Sequence, residues 1–483
     1  MILKALTFFF FFFGATYLIY SYYTSNLHFL AYFETHKSPV TQLSEQCDPD
    51  IAPFYIYNLA DRFNEALLSN CSNLDPWMNM CTYIDNHGMG QLLNKSSWYN
   101  TYQFNADMLF HARAINHPCR THDVSSALMF YIPFYASLYA QSVFYEYNLT
   151  RRDTMAVNLV DYLLKLPTFQ RHGGHDHFLV SGLMAWDFLR GPDQDAHSTR
   201  SNNLLNLPQL SNLSILINER NTYHGDNQFG IPYPSYFHPK SKDEITSWQD
   251  EVRRLERTHL FSFVGGARHK GHNSEKYRSA VINQCNRTES CILILCKYWG
   301  SAWDAADEIL GALKRARFCL QPPGDTMTRR SIFDSILVGC VPVFFSDLTA
   351  YEQYTWYIPE RREDWSVMIG PDQLDRIEEV LSQIPEKEIE RMREVVIGMI
   401  PRVTYTYPNA TRADIGFRDA VDTALVELTK WVRRSRRAKS ATREEARNWI
   451  PDEDILEEIC LNYYLPENAQ VVLYNSERSS HSD

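Results

Sequence analysis

The chain has 483 residues, 45% of them hydrophobic, 14% aromatic and 22% charged; at roughly 100–200 residues per domain that is room for two to four domains. Its 47 Lys and Arg against 58 Asp and Glu leave a net charge of −11, a poor match to the phosphate backbone of nucleic acid. Nineteen Gly and 22 Pro exclude a collagen-like or low-complexity chain, while 29 Tyr, 27 Phe and 10 Trp suit a carbohydrate-facing cleft.

Residues 1–4 read as a cytosolic tip. Ala5–Tyr23 is uncharged and includes the six consecutive Phe from Phe8 to Phe13. At about 1.5 Å per residue it spans roughly 28 Å, close to a hydrocarbon core. No Ala-x-Ala site follows, so residues 5–23 are expected to form an uncleaved transmembrane signal anchor. Lys4 points to an N-terminus inside and a body in the lumen of the secretory pathway. Residues 24–46 are polar and irregular, as a stem would be. Ten Cys, four of them before residue 120, and six sequons (Asn70, Asn94, Asn148, Asn212, Asn286, Asn409) agree with an oxidising lumen. Cys319 and Cys340 sit in apolar runs and read as buried thiols. No spacing matches a zinc site.

Strands are expected at Phe54–Tyr57, Ser126–Pro133, Phe178–Leu183 and Ser214–Ile217, with helical patterns from Asp61 and over Met155–Leu166 between them. The pattern then starts again. A charged helix at Asp243–Thr258 precedes strands at Leu260–Val264, Cys291–Cys296, Phe318–Gln321 and Val341–Phe345. Helices at Glu275–Gln284, Asp304–Ala316 and Arg330–Leu337 separate those strands. Such alternation argues for an α/β chain with parallel, doubly wound sheets. Two halves in succession predict two Rossmann-like domains facing a cleft, residues 47–245 and 246–440. Glu386–Ile400 closes the second half and Asp414–Lys439 packs or returns across it. Residues 441–483 read as a polar, acidic, mobile tail.

The most informative stretch for chemistry is Phe318–Ser335, an apolar strand that runs into Pro322-Pro323-Gly324-Asp325 and then a helix. Ligands of open α/β sheets sit beyond the carboxyl ends of strands, where backbone N–H groups favour anions. Arg329 and Arg330 at the helix start oppose its dipole unless an anion is present, and a diphosphate would resolve the conflict. Asp334, one turn on, could accept the hydroxyls of a ribose, or form a surface pair with Arg330. Gly265-Gly266-Ala267-Arg268, with Arg278 on the next helix, is either a second anion-facing loop or an ordinary tight turn.

In the first half, Gly174-His175-Asp176-His177 enters an apolar strand. Asp176 or His177 could serve as a general base, or the cluster could be structural. Trp186 and Asp187 could give a sugar a stacking face and a carboxylate, or Trp186 could be core. Pro232–Pro239 could line the cleft or fasten two domains. The three Asp-x-Asp pairs (Asp48/Asp50, Asp193/Asp195, Asp452/Asp454) follow no strand as a metal-diphosphate site requires and read as solvated. The basic run from Lys430 to Lys439 reads as a solvated helix face.

These motifs resemble the exostosin-like glycosyltransferases of family 47, nearest to the plant branch of xyloglucan galactosyltransferases. The stretches are FYIYNLADRFNEALLSNC from Phe54, WMNMCTY from Trp77, GHDHFLVSGLMAWDF from Gly174, IPYPSYFHP from Ile231, LFSFVGGAR from Leu260, FCLQPPGDTMTRRSIFDSILVGCVPVFF from Phe318 and YEQYTWYIP from Tyr351. They occur in family order over about residues 50–435. The resemblance implies a GT-B fold, a type II Golgi membrane anchor, and inverting transfer of galactose, or a related sugar such as galacturonic acid, from a UDP-sugar to xyloglucan. No cofactor and no bound metal are implied.

By motif match, Arg268, Arg278, Gly324, Asp325, Arg329, Arg330 and Asp334 would contact the nucleotide sugar. Asp176, then His177, would be the base, and Trp186 with Asp187 would meet the acceptor. Other Golgi glycosyltransferases are candidate partners. Two rival functions are a sister transferase acting on pectin or xylan and an inactive scaffold of a Golgi synthase complex. His175 stands where the branch usually has Arg, and Gly-Gly-Ala-Arg where Gly-Ala-Pro-Arg is usual; Lys297–Asp304 and the tail after Ala441 are also unlike the branch.

Overall fold

The computed structural model describes residues 47–448 apart from 94, 198 and 297–305. The expected tip, anchor and stem, residues 297–304 and the tail from residue 449 lie outside the described residues. Among those described, no helix is long and apolar enough to cross a membrane.

Among the described residues, two five-stranded sheets organise the fold, and every strand pairing within them is parallel. The first contains β1 (Phe54–Ile56), β2 (Met129–Ile132), β3 (His177–Met184), β4 (Ser214–Glu219) and β5 (Gln228–Gly230). Its strands lie side by side in chain order. It therefore lacks the reversal of strand order expected of a doubly wound sheet. The second contains β6 (His259–Gly265), β7 (Cys291–Leu295), β8 (Ala316–Gln321), β9 (Val341–Phe344) and β10 (Val367–Met368), in the order β10-β9-β8-β6-β7. Here the order does reverse, at β6, which pairs with both β7 and β8. Loops leaving β6 and β8 diverge at that point and open the crevice where such sheets bind ligands.

Composition explains these elements locally. β2 is the run Met129-Phe130-Tyr131-Ile132, buried throughout, as a parallel strand covered on both faces should be. Helix α1 (Ala106–Ile115) is buried on almost every side, so it lacks the one-sided periodicity that marks a surface helix. Helix α2 (Lys242–Arg254) starts at Ser241, whose Oγ accepts from the Glu244 N–H, and carries Asp243 and Glu244 in its first turn. Helix α3 (Arg330–Leu337) follows β8 with no side-chain cap at its N-terminus. A last long helix, α4, runs from Ala420 to Asn448, so the first eight residues of the expected mobile tail are helical. Residues up to Val432 form one compact unit; the second, from Arg433, is described only as the end of α4.

One apolar core runs from the first sheet (Phe54, Phe130, Phe178) to Phe333, Tyr354 and Val421; another lies around Phe261, Phe318 and Val341. Among the described residues there are four disulfides: Cys47–Cys119, Cys71–Cys81, Cys285–Cys291 and Cys319–Cys340. The last corrects the expected pair of thiols. Cys319 lies in β8 opposite Pro342 of β9, which brings the Cys340 backbone within 5.8 Å, Cα to Cα. Asp48 is also not solvated. It is 3% exposed and holds Arg418 and Arg412, because the start of the described chain packs beside the 412–418 segment.

Candidate active site

A cleft of roughly 430 Å³ opens beyond the carboxyl ends of strands from both sheets. The first sheet contributes Ala185, Trp186 and Leu189 after β3, and the segment from Glu219 to Tyr223 after β4. From the second come His272, Ser274 and Tyr277 after β6, Pro323–Met327 after β8, and Ser346 after β9.

Cations gather on the second-sheet side, at the strand reversal. Arg278 donates from Nε to the Pro323 carbonyl (2.9 Å) and from Nη1 to the Gly266 carbonyl (2.6 Å), tying the β6 loop to the β8 loop. Burial, with the Arg329 and Arg268 charges beside it, pulls the Arg278 guanidinium down to about 9. Arg329 donates from Nη1 to Thr326 Oγ1 (2.8 Å) and to the Thr328 carbonyl. Its Nη2 is buried without a hydrogen-bond partner among the described residues, as is Nε of Arg268. Arg268 reaches Asp325 at 2.8 Å. Gly324 permits this arrangement, since a Cβ there would stand 1.8 Å from Nη2 of Arg329. Three guanidinium groups with few counter-charges and unmatched N–H donors form a site for a multiply charged anion.

The other expected donor contacts fall elsewhere. None of these five side chains lines the cleft itself, but Arg268, Arg278 and Arg329 bond to the lining residues Asp325, Pro323 and Thr326, whereas Arg330 and Asp334, 6% and 3% exposed, pair with each other at 3.3 Å. Arg330 Nη1 donates to the Thr101 carbonyl (2.6 Å), and its guanidinium lies 3.7 Å from the centre of the Tyr236 ring. Asp334 accepts from Ser235 Oγ at 2.5 Å. The pair is therefore neither at the cleft nor a surface pair. It clamps α3 to the first half and to the Pro232–Pro239 segment, whose Tyr233 also reaches Thr328 at 3.1 Å.

Asp176 and His177 stand at the opposite end of the first sheet. His177 begins β3, whereas the cleft opens beyond Met184, roughly 25 Å away along a strand that rises about 3.3 Å per residue. The His177 ring stacks on Phe130 and Tyr57, with Nδ1 against Asp176 Oδ1 (2.8 Å) and Nε2 against the Tyr57 hydroxyl (2.6 Å). Burial lowers its pKa. This is a buried structural cluster at the amino end of the sheet.

Trp186, by contrast, lines the cleft and is 49% exposed, so it is not core. Next to it, Asp187 Oδ2 accepts from the Met184 N–H (3.1 Å), and burial, with nearby Glu219, pushes its carboxyl up to about 7. Glu219 stands outside every motif read from the sequence. It ends β4, is 3% exposed, and accepts from the Met327 N–H (3.2 Å), the Thr328 N–H (2.9 Å) and Thr328 Oγ1 (2.6 Å). The first sheet thus holds the loop that carries the cations of the second. A clue was available in the sequence: an acidic residue ending an apolar strand in a parallel sheet. Gln353 closes the same junction by pairing with the Arg220 backbone in both directions.

Known proteins resemble this chain over most of its length. The exostosin GT47 domain matches residues 52–384. The probable xyloglucan galactosyltransferase GT17 of Arabidopsis thaliana is 47% identical over 389 residues, covering 80% of this chain and 84% of that protein. Xyloglucan galactosyltransferase MUR3 of the same plant is 40% identical, covering 79% of this chain and 62% of its own. Xyloglucan-specific galacturonosyltransferase 1, also of that plant, is 34% identical over 78% of this chain and 56% of its own. A solved chain of the GtfA/B complex matches at 8% identity over 57% of this chain and 61% of that one, with a TM-score of 0.27, too slight a likeness to bear on the fold. The residue-level match is of another order, and by it the chain belongs to the exostosin GT47 family.

Proposed function

We propose that this protein is an inverting glycosyltransferase of GT-B type that moves galactose, or a related sugar such as galacturonic acid, from a UDP-sugar to a xyloglucan side chain. The carrying observation is the meeting of Arg268, Arg278 and Arg329 at the strand reversal, with two buried N–H donors unmatched. That set suits a diphosphate, and names of relatives in the same family supply the sugar and the polymer. In this reading the second sheet binds the donor through those three Arg, Gly324 and Asp325. Arg330 and Asp334 position the helix behind them, and the first sheet presents the acceptor along Trp186.

The acceptor hydroxyl oxygen attacks the anomeric carbon opposite the leaving UDP. A new C–O bond forms as the bond to the diphosphate breaks, and guanidinium groups stabilise the charge that develops there. The hydroxyl proton passes to a carboxylate, which we assign to Asp187 in place of Asp176. Its raised pKa suits a base working near neutrality, and it adjoins Trp186 at the cleft. Charge neutralisation by Arg requires no metal in this scheme. Residues 5–23 would anchor the chain in the Golgi membrane, with a lumenal body in keeping with the four disulfides among the described residues.

The test offers the full chain, produced in a secretory host and solubilised in detergent, a set of donors with galactose-free xyloglucan oligosaccharides. UDP-galactose, UDP-galacturonic acid, UDP-xylose and UDP-arabinose are tried with and without EDTA. A mass gain of one hexose or one hexuronic acid, insensitive to EDTA, is expected. Absence of product and of UDP release with every donor would overturn the proposal.

A further inference from the structure

Away from the cleft, a group of aromatic side chains stands open to solvent. Trp77, Tyr145 and Tyr147 are 40%, 50% and 56% exposed. Trp77 lies 4.8 Å from Phe144 and 6.5 Å from Tyr145, centroid to centroid. The Arg200 guanidinium sits 5.7, 5.1 and 5.8 Å from the rings of Phe144, Tyr145 and Tyr147. Its Nη1 is buried without a hydrogen-bond partner among the described residues, so ring faces hold the cation.

The patch is built rigidly. The Cys71–Cys81 disulfide closes the loop that carries Trp77. Within that loop, buried Asp75 accepts the backbone N–H of Trp77 (2.8 Å) through Oδ1 and both the Tyr102 hydroxyl (2.8 Å) and Gln141 Nε2 (2.7 Å) through Oδ2. Buried Arg152 joins the other side, donating to carbonyls of Glu146 (3.1 Å) and Thr199 (2.9 Å). Rings held this firmly still leave 40–56% of their surface open to solvent, which points to an outside ligand.

Continuity with the cleft narrows that ligand. The N–H of Asn202 donates to the Asp187 carbonyl (3.0 Å), beside Trp186 at the cleft rim. Asn202 is two residues, at most about 7 Å, from Arg200. The patch and the rim thus share one strip of chain. The exposed rings join an indole face to two phenols, a mix of flat apolar faces and polar edges that suits a neutral hydroxylated ring.

We propose that this patch is a second carbohydrate-binding surface, which holds the glucan backbone of a polymeric acceptor while the side chain to be modified lies in the cleft. The inference rests on the acceptor class given under Proposed function.

The experiment compares the wild-type full chain with Trp77→Ala, with the Tyr145→Ala/Tyr147→Ala pair and with Tyr147→Phe as the conservative control. KM and kcat are measured for polymeric xyloglucan and for a short oligosaccharide acceptor, and mobility is measured in a xyloglucan-containing native gel. Two lost ring contacts should raise KM for the polymer roughly tenfold. KM for the oligosaccharide, kcat and the melting temperature should stay put, and Tyr147→Phe should behave as wild type. An unchanged polymer KM would overturn the proposal, whether or not the variants lose a protein partner or alter glycan packing at Asn148. Equal weakening of both acceptors would overturn it too. If wild type transfers to neither acceptor, the activity reading fails instead, and the gel decides alone: retardation of wild type that the Ala variants lose supports the patch, and equal mobility overturns it.

Discussion

Replacing Glu219 with Gln removes one charge and almost no volume. In the native protein its two oxygens accept the Met327 N–H, the Thr328 N–H and the Thr328 hydroxyl, all from the loop leading to Arg329. A glutamine keeps one carbonyl oxygen and turns an NH2 group toward donors, so at least one of those groups loses its acceptor. Hydrogen bonds to a charged group contribute about 1.5–3 kcal/mol each, and leaving a buried donor unmatched costs a similar amount. A loss of about 3 kcal/mol falling on the placement of this loop corresponds to roughly 100-fold in affinity for the anion it holds. Calorimetric titration of the detergent-solubilised chain with UDP should therefore show a dissociation constant raised by one to two orders of magnitude. The melting temperature should fall by a few degrees. Unchanged UDP affinity would refute the reasoning even if the melting temperature fell, because the donor loop would then stand without the first sheet.

Other expectations follow from the same geometry. A base acts deprotonated, so wild-type kcat should rise with pH through about 7; Asp187→Asn should lose at least 100-fold and flatten that limb. A pH limb that persists in the variant would remove Asp187 from the role. Asp176→Asn, at the far end of β3, should lower the melting temperature while kcat stays within about threefold; a kcat loss matching that of Asp187→Asn would overturn the structural reading of the cluster. Arg330→Ala leaves Asp334 buried without its cation and should destabilise the chain by about 3–5 kcal/mol, measured by denaturant unfolding. A stable but inactive variant would return Arg330 to the donor site. Replacing both Cys319 and Cys340 with Ala opens a loop of 21 residues and should cost about 3 kcal/mol; a melting temperature equal to wild type would contradict that.

Eight of the ten strands among the described residues could be read from the sequence because β-branched and aromatic runs bounded by turn residues leave little else to choose. The two missed, β5 and β10, are three and two residues long, too short for any periodicity. α1 was missed for the opposite reason, being buried almost all round. In the site, the loop after β8 was legible as a cleft loop because an apolar strand running into proline and glycine in a parallel sheet places those residues beyond its carboxyl end. Residue type could not say which end of β3 faces the cleft. Asp176-His177 and Trp186-Asp187 bracket that one strand, and only the direction of the sheet decides between them. Arg330 and Asp334 were seen as a pair from their i, i+4 spacing, but the Thr101 carbonyl and the Tyr236 ring that enclose Arg330 come from 229 and 94 positions upstream. The disulfide at Cys319 escaped notice because both cysteines sit in apolar runs that read as buried thiols, and only the pairing of β8 with β9 brings them together.

The carboxylate at the end of β4 also bears on how such a chain can be taken apart. A fusion that joined the first half of this protein to the second half of a relative, cut near residue 245, would separate Glu219 from the loop it steadies and Gln353 from the backbone it matches. Donor preference would then not travel with the second half alone. Swapping it between relatives would require carrying the 214–239 segment along, so the natural unit of exchange overlaps the midpoint of the chain.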